Sequence, residues 1–314
     1  MNNGVAAVEC GTVEWTTLIN DVQDPRWSHS GMGVLNNGLL VFAEPGGAAV
    51  TVLDERSGAT RRVPTGTADA HGIFVQREAE GDRLWLADPG PGGEAGQLIK
   101  TDLEGAVLER VAEPGRASGE PERWKPTSAA VVNVPGPHAG ELWVADGYGQ
   151  SLVHVVRADG STQTFDGATS SALFDCPHGI AIDDRHAEPQ VAIADRTNRR
   201  LVFLDLDGTF IRSVSDPIMT SPSSIAVRGA ELLVTDLFGA LLSVDLDDAV
   251  HAVVPSTNDH GRESWPNRSL KGVTVRPELS DGVLNSPHGI AVTESGQVYL
   301  TEWMFGGRLI RLTL

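Results

Sequence analysis

Cysteine is nearly absent from this 314-residue chain: it occurs twice, as Cys10 and Cys176, so a disulfide framework does not hold the fold together. Long apolar runs are missing too. No stretch approaches the ~18 consecutive apolar residues that a membrane span requires, although 40% of the residues are hydrophobic, enough for a large core. Basic residues are scarce. Lys and Arg total 24 against 42 Asp and Glu, and the formal charge of -18 repels phosphate backbones and anionic lipid, so nucleic acid and membranes are not expected partners. Met1 to Cys10 has no basic region followed by an apolar run, which leaves the cytoplasm as the expected compartment. Helical periodicity is also lacking; the apolar residues come in short β-rich runs between Asp-Gly and other glycine-containing turns.

What the chain does have is a repeat. The stretch Cys176-Pro177-His178-Gly179-Ile180-Ala181-Ile182 returns as Ser286-Pro287-His288-Gly289-Ile290-Ala291-Val292 and as Asp69-Ala70-His71-Gly72-Ile73-Phe74-Val75. Copies without histidine lie at Ser30-Gly31-Met32, Pro126-Thr127-Ser128 and Pro222-Ser223-Ser224. Each copy opens a run that turns into a second run ending in a small residue and an acid, as in Trp143-Val144-Ala145-Asp146 and Ala192-Ile193-Ala194-Asp195. Six repeats of four short strands predict an all-β fold, a six-bladed β-propeller with four-stranded antiparallel blades whose first strands line a central channel. The sixth copy stops one strand short, and the segment from Thr12 to Leu18 is expected to supply it, closing the ring. No linker splits the chain, so residues 1–314 read as one domain. The longest insertion, Pro255 to Asn285, carries Arg262 and Trp265, which are expected near the channel mouth.

At the frame position the six copies read Ser30, His71, Thr127, His178, Ser223, His288: histidine in every second repeat. In a closed six-fold ring those imidazoles lie 120° apart and aim at one axis. Three neutral nitrogens converging from three sides, with a position left open, describe a catalytic zinc site. One such histidine alone reads as an ordinary hydrogen-bonded core residue; the shared register makes His71, His178 and His288 candidate ligands of a divalent metal. The remaining histidines, His29, His138, His154, His186, His251 and His260, read as loop or outer-strand residues without that role. The recurring acids Asp88, Asp146, Asp195 and Asp236 are expected to cap backbone amides. The residues after them vary, and Tyr148 and Arg196 stand out there. A phenol with a pKa near ~10 serves as a base only where cations lower that value, as a metal and a guanidinium would; otherwise Tyr148 packs and Arg196 forms a surface ion pair. Glu44, Asp69, Thr127, Cys176 and Met304 are the expected pocket residues.

These motifs resemble NHL repeats, most clearly Pro177-His178-Gly179-Ile180-Ala181-Ile182 followed by Ala194-Asp195-Arg196-Thr197-Asn198-Arg199-Arg200. Within that group the alternate histidines look like those of peptidyl-α-hydroxyglycine α-amidating lyase, a propeller whose three histidines hold zinc. Ala145-Asp146-Gly147-Tyr148 is similar to the segment bearing that family's catalytic tyrosine base, and Ala194-Asp195-Arg196 to the one bearing a substrate-binding arginine. The resemblance implies a zinc-dependent lyase acting on a small hydroxylated substrate, with Tyr148 and Arg196 in those roles. Three departures stand beside it. The family's arginine at the end of the second strand of the first blade is replaced by Ala43-Glu44-Pro45. Its methionine two residues before the last histidine corresponds to Ser286. Its calcium-binding acid after that histidine corresponds to Gly289, which removes a ligand for structural Ca²⁺. The same site also suits a metal-dependent hydrolase, and a non-catalytic, protein-binding NHL propeller is the alternative of another class. A gluconolactonase-like reading fits less well, because those sites use acids and an asparagine as ligands.

Overall fold

The computed structural model describes residues 13–20, 23–92, 94–114, 124–257 and 260–314. Six four-stranded antiparallel sheets form a ring, the six-bladed β-propeller that the repeats predict. The inner strands are Met32–Val34, Gly72–Glu78, Ser128–Val131, Pro177–Asp183, Pro222–Arg228 and Pro287–Val292. Each touches the inner strand of the next blade, and the last touches the first, so the ring closes. Closure is made by Glu14–Ile19, which pairs with the final strand Leu309–Thr313 in the register Trp15 to Leu312 and Thr17 to Ile310. The sixth blade thus takes its outer strand from the other end of the chain.

The second strand of each blade is apolar on both faces because it is covered on both sides by neighbouring sheets: Leu142–Asp146 and Leu40–Ala43 are buried throughout. Side chains from adjacent blades interdigitate. Trp143, Val153 and Val155 of the third blade, for example, pack with Ile180, Ile193 and Val202 of the fourth. The acids ending these strands do cap backbone amides: Asp88 accepts from the N–H of Ala68, Asp69 and Gly90, Asp146 from Lys125 and Gln150, and Asp236 from Thr220, Ser221 and Phe238. Glu302 does the same for Asn285 and Ser286 in the sixth blade.

Around the axis the inner strands approach so closely that the glycine following each frame histidine has no room for a side chain. A Cβ on Gly72 would lie 2.4 Å from the Thr127 carbonyl oxygen, one on Gly179 2.3 Å from that of Ser223, and one on Gly289 2.6 Å from that of Ser30. The glycine of each His-Gly pair is therefore a spacing requirement between blades. Two short ribbons lie outside the blades: Trp27–Ser28 pairs with Met304–Phe305, and Arg268–Leu270 pairs with Val273–Val275 within the long insertion. Most of the insertion from Glu113 to Lys125 lies outside the described residues. Among the described residues no helix is long and apolar enough to cross a membrane.

Substituting Gly179→Ala should lower the unfolding free energy by about 1–3 kcal/mol, because backbone of the next blade must move. Equilibrium urea unfolding measures this, and an unchanged midpoint would show that the strands are not so tightly spaced.

Candidate functional site

The three frame histidines converge at one end of the channel, and one repeated interaction aims them. His71 Nδ1 lies 2.7 Å from the Thr127 carbonyl oxygen, His178 Nδ1 2.9 Å from that of Ser223, and His288 Nδ1 3.3 Å from that of Ser30. A carbonyl only accepts, so each Nδ1 carries the hydrogen and each Nε2 is left as a bare acceptor. The partner is always the frame residue of the following blade. This explains the alternation: a histidine reaches sideways to a small hydroxyl residue's backbone. Ring centroids of the three lie 4.6–5.1 Å apart.

His29 joins them, contrary to its reading from sequence as an ordinary loop residue. It sits between the Trp27–Ser28 ribbon and the first inner strand, which carries it over the cluster. Its Nδ1 is 3.2 Å from Asp69 Oδ2, so in the neutral ring Nδ1 carries the hydrogen and Nε2 is an acceptor. Among the described residues the three whose nitrogens lie within 4.8 Å of one another are His29, His71 and His288, a set that differs by one member from the sequence-derived trio. His178 meets this set through its Nε2, 3.1 Å from His71 Nε2. The available sequence signal was the placement of His29 immediately before frame residue Ser30, in a blade that lacks the frame histidine.

Tyr148 and Arg196 also reach the cluster. The Tyr148 hydroxyl lies 3.1 Å from His178 Nε2 and 3.3 Å from His29 Nε2, and it accepts from Arg196 Nη1 at 3.3 Å. Arg196 Nη2 donates to Ser223 Oγ at 2.8 Å, while its buried Nε has no hydrogen-bond partner. The phenol departs from expectation in one respect. Burial pushes Tyr148 above its ordinary pKa, and the nearby Arg196 guanidinium only opposes that rise. Arg196 by itself does not make Tyr148 a base.

The expected pocket residues divide. Asp69 orients His29, and Cys176 lies beside Arg196, whose N–H donates to the Cys176 carbonyl; burial pushes the thiol up. Thr127 spends its hydroxyl on the carbonyls of Ala145, Pro177 and His178, tying two blades together, so it is not free for a ligand. Met304 is fully buried in the ribbon that carries His29. Glu44 turns away from the cluster to accept from Thr51 and Arg62, beside a separate cavity of about 310 Å³ that Ser28 and Arg308 also line. Trp265 meets Trp303 edge-on, Trp303 lies tilted 5.8 Å from His29, and Arg262 folds back onto Pro266 and Asn285. Below the histidines the channel is a cavity of about 390 Å³ lined largely by aliphatic residues such as Val75, Val131, Ile182 and Val292.

The chemistry of this donor set is unbalanced. Four Nε2 acceptors face one O–H donor, His71 and His178 present lone pairs to each other at 3.1 Å, and the buried His288 Nε2 has no partner at all. Unmatched buried acceptors cost about 1–3 kcal/mol each. A bridging proton does not resolve this, because burial and the other cationic or imidazole groups hold His71, His178 and His288 well below their ordinary pKa. A divalent cation does. Around an ion with bonds of about 2.0–2.1 Å to nitrogen, tetrahedral ligands lie about 3.3 Å apart, close to the His71–His178 spacing.

No family model matches the chain. It is similar to mouse NHL repeat-containing protein 3, at 27% identity over 277 residues that span 85% of this chain and 74% of the mouse protein. Among solved structures it resembles a gluconolactonase from Xanthomonas campestris, with a TM-score of 0.63 and 15% identity over 97% of this chain and 91% of that one. A streptogramin B lyase structure aligns with a TM-score of 0.61 and 15% identity, over 96% and 98% of the two chains. The likeness to solved structures bears on the fold alone, and the sequence likeness is to an NHL repeat-containing protein.

A pH dependence follows for chelator-treated protein. In the unfolded chain imidazoles take up protons below about pH 6.5. In the folded protein His71, His178 and His288 stay neutral, and burial lowers His154 to about 4. The stability these groups contribute is complete above pH 6.5 and is lost as the pH falls below it. Asp146, raised by burial to about 6, acts in the opposite sense and loses stability as the pH rises toward that value. Four imidazoles outweigh one carboxyl, so unfolding free energy should fall between pH 7 and 5, by about 1.4 kcal/mol per pH unit for each net proton. A urea midpoint that is flat or rising over that interval would contradict this.

Proposed function

We propose that this chain is a divalent-metal-dependent lyase, with zinc as the ion, acting on a small hydroxylated substrate at the histidine end of the channel. The observation that carries the reading is the convergence of unprotonated Nε2 atoms with too few donors to match them. An all-nitrogen set suits zinc and its neighbours among transition metals and disfavours calcium and magnesium, which take oxygen ligands. His71, His178 and His288 would hold the ion, which when bound supplies Lewis acidity toward a substrate oxygen and the positive charge that Tyr148 otherwise lacks.

The rest of the chemistry falls to the chain's own groups. Tyr148, within reach of His178 and Arg196, takes the proton of the substrate hydroxyl. The carbon–oxygen double bond forms as the adjacent carbon–nitrogen or carbon–oxygen bond breaks, and Tyr148 returns the proton to the departing atom. Arg196 holds the phenol oxygen through Nη1 and keeps its unpartnered Nε for the substrate. Because Glu44 faces Arg62, it does not repel a substrate carboxylate, but the cation that the amidating-lyase resemblance calls for at that point is still missing. An uncharged carbinolamide therefore fits better than an α-hydroxyglycine. The fold likeness to a gluconolactonase keeps a hydrolase as the second reading.

Metal analysis of purified protein should find one divalent ion per chain, with the content reduced in His178→Ala; full metal content in that variant would exclude the proposed ligand set. With an N-hydroxyalkyl amide as probe, Tyr148→Phe should retain the metal and lose at least ~100-fold in kcat. Undiminished turnover would remove Tyr148 as the base, and opening of a δ-lactone without cleavage of the amide would assign the hydrolase instead.

A further inference from the structure

Resting on that reading of the site, we infer that His29 is a fourth nitrogen ligand, oriented by Asp69, which closes the metal site until a substrate oxygen takes its place. The four histidines differ in origin. His71, His178 and His288 belong to inner strands and are each fixed by a backbone carbonyl of the next blade. His29 lies outside the repeat, on the segment that leads from the closing strand into the first blade, and is fixed by a side chain, Asp69.

Three observations put it on the metal side of the cluster. Its ring lies 4.2 Å from that of His71 and 4.7 Å from that of His288, as near as the frame histidines lie to one another at 4.6–5.1 Å. Its nitrogen falls within 4.8 Å of theirs. A carboxylate on Nδ1 leaves Nε2 as the ligating atom, the arrangement in which an outer carboxylate fixes a metal-bound imidazole and raises its basicity. Asp69 is itself held, its N–H donating to Asp88 Oδ1.

The consequence is a site that the protein alone saturates. Three frame histidines leave one tetrahedral position, and a fourth imidazole fills it, as in structural rather than catalytic zinc centres. His29 is the member suited to leave. Its side chain is 19% exposed, whereas the frame histidines are at most 2% exposed, and no backbone bond from a neighbouring blade anchors its ring. A substrate oxygen entering beside Tyr148 would displace it, and the Tyr148 hydroxyl, which lies 3.3 Å from His29 Nε2, is placed to act on that substrate.

Metal affinity and coordination number test this independently of turnover. Zinc is titrated into chelator-treated wild type, His29→Ala, His29→Asn, Asp69→Asn and His178→Ala, and X-ray absorption counts the nitrogen ligands of the loaded forms. Wild type should show four nitrogens. His29→Ala and His29→Asn should still bind one ion, with three nitrogens and about 10- to 100-fold weaker affinity, and Asp69→Asn should weaken binding in the same direction. Wild-type affinity and an unchanged nitrogen count in both His29 variants would overturn the inference, while weaker binding in His178→Ala than in either His29 variant alongside would leave the three-histidine reading intact. Wild type that binds no zinc would remove both.

Discussion

The hydrogen bond from each frame histidine Nδ1 to the frame carbonyl of the next blade is the interaction on which the rest of the site depends. It acts twice. Between blades it is a polar tie beside the apolar packing, and at the axis it settles which ring nitrogen is bare. It also sets spacing. The carbonyl that receives the imidazole of one strand is the atom that a Cβ on the following glycine would strike, as Thr127 is for Gly72 and Ser223 for Gly179. Histidine, glycine and the small residue opposite are therefore one device, and its use in alternate blades leaves the intervening positions to hydroxyl residues. Thr127 returns the favour by donating its hydroxyl to the His178 carbonyl.

Electrostatics at the axis follow from that device. The protein is strongly acidic overall, yet the cluster itself is built of neutral imidazoles with one guanidinium beside them. The nearest carboxylate to join it, Asp69, does so through His29 and not at the axis. Acids elsewhere on the same rim are engaged with backbone amides or, for Glu44, with Arg62. A site of this kind favours a cation through lone pairs more than through charge, which selects for metals that prefer nitrogen. As the proposed base, Tyr148 would depend on the same cation, since burial raises its pKa and Arg196 offsets that only in part.

The fold and much of the site were legible in the sequence because they repeat. The alternation at Ser30, His71, Thr127, His178, Ser223 and His288 announced both the six blades and the convergence, and the missing last strand pointed to closure by the N-terminal segment. The capping role of Asp88, Asp146 and Asp236 could be inferred for the same reason. Apart from Tyr148 and Arg196, what did not repeat was not legible. His29 stands one residue out of register and is brought in by a ribbon with Met304–Phe305, a pairing between ends of the chain that no periodicity marks. Glu44 occupies the capping position of its blade but turns to Arg62 and Thr51 instead. Thr127 looked like a pocket residue because its frame position faces the axis, whereas the carbonyls of Ala145, Pro177 and His178 claim its hydroxyl.

The claim that these imidazoles form a single cation site is tested most directly by anomalous X-ray diffraction from crystals of the zinc-loaded protein, recorded on both sides of the zinc absorption edge. One anomalous peak is expected on the axis side of the cluster, about 2.0–2.1 Å from the Nε2 atoms, with the Nδ1–carbonyl bonds retained. The absence of any peak among His29, His71, His178 and His288, or a peak bound through Nδ1 with those bonds broken, would contradict it.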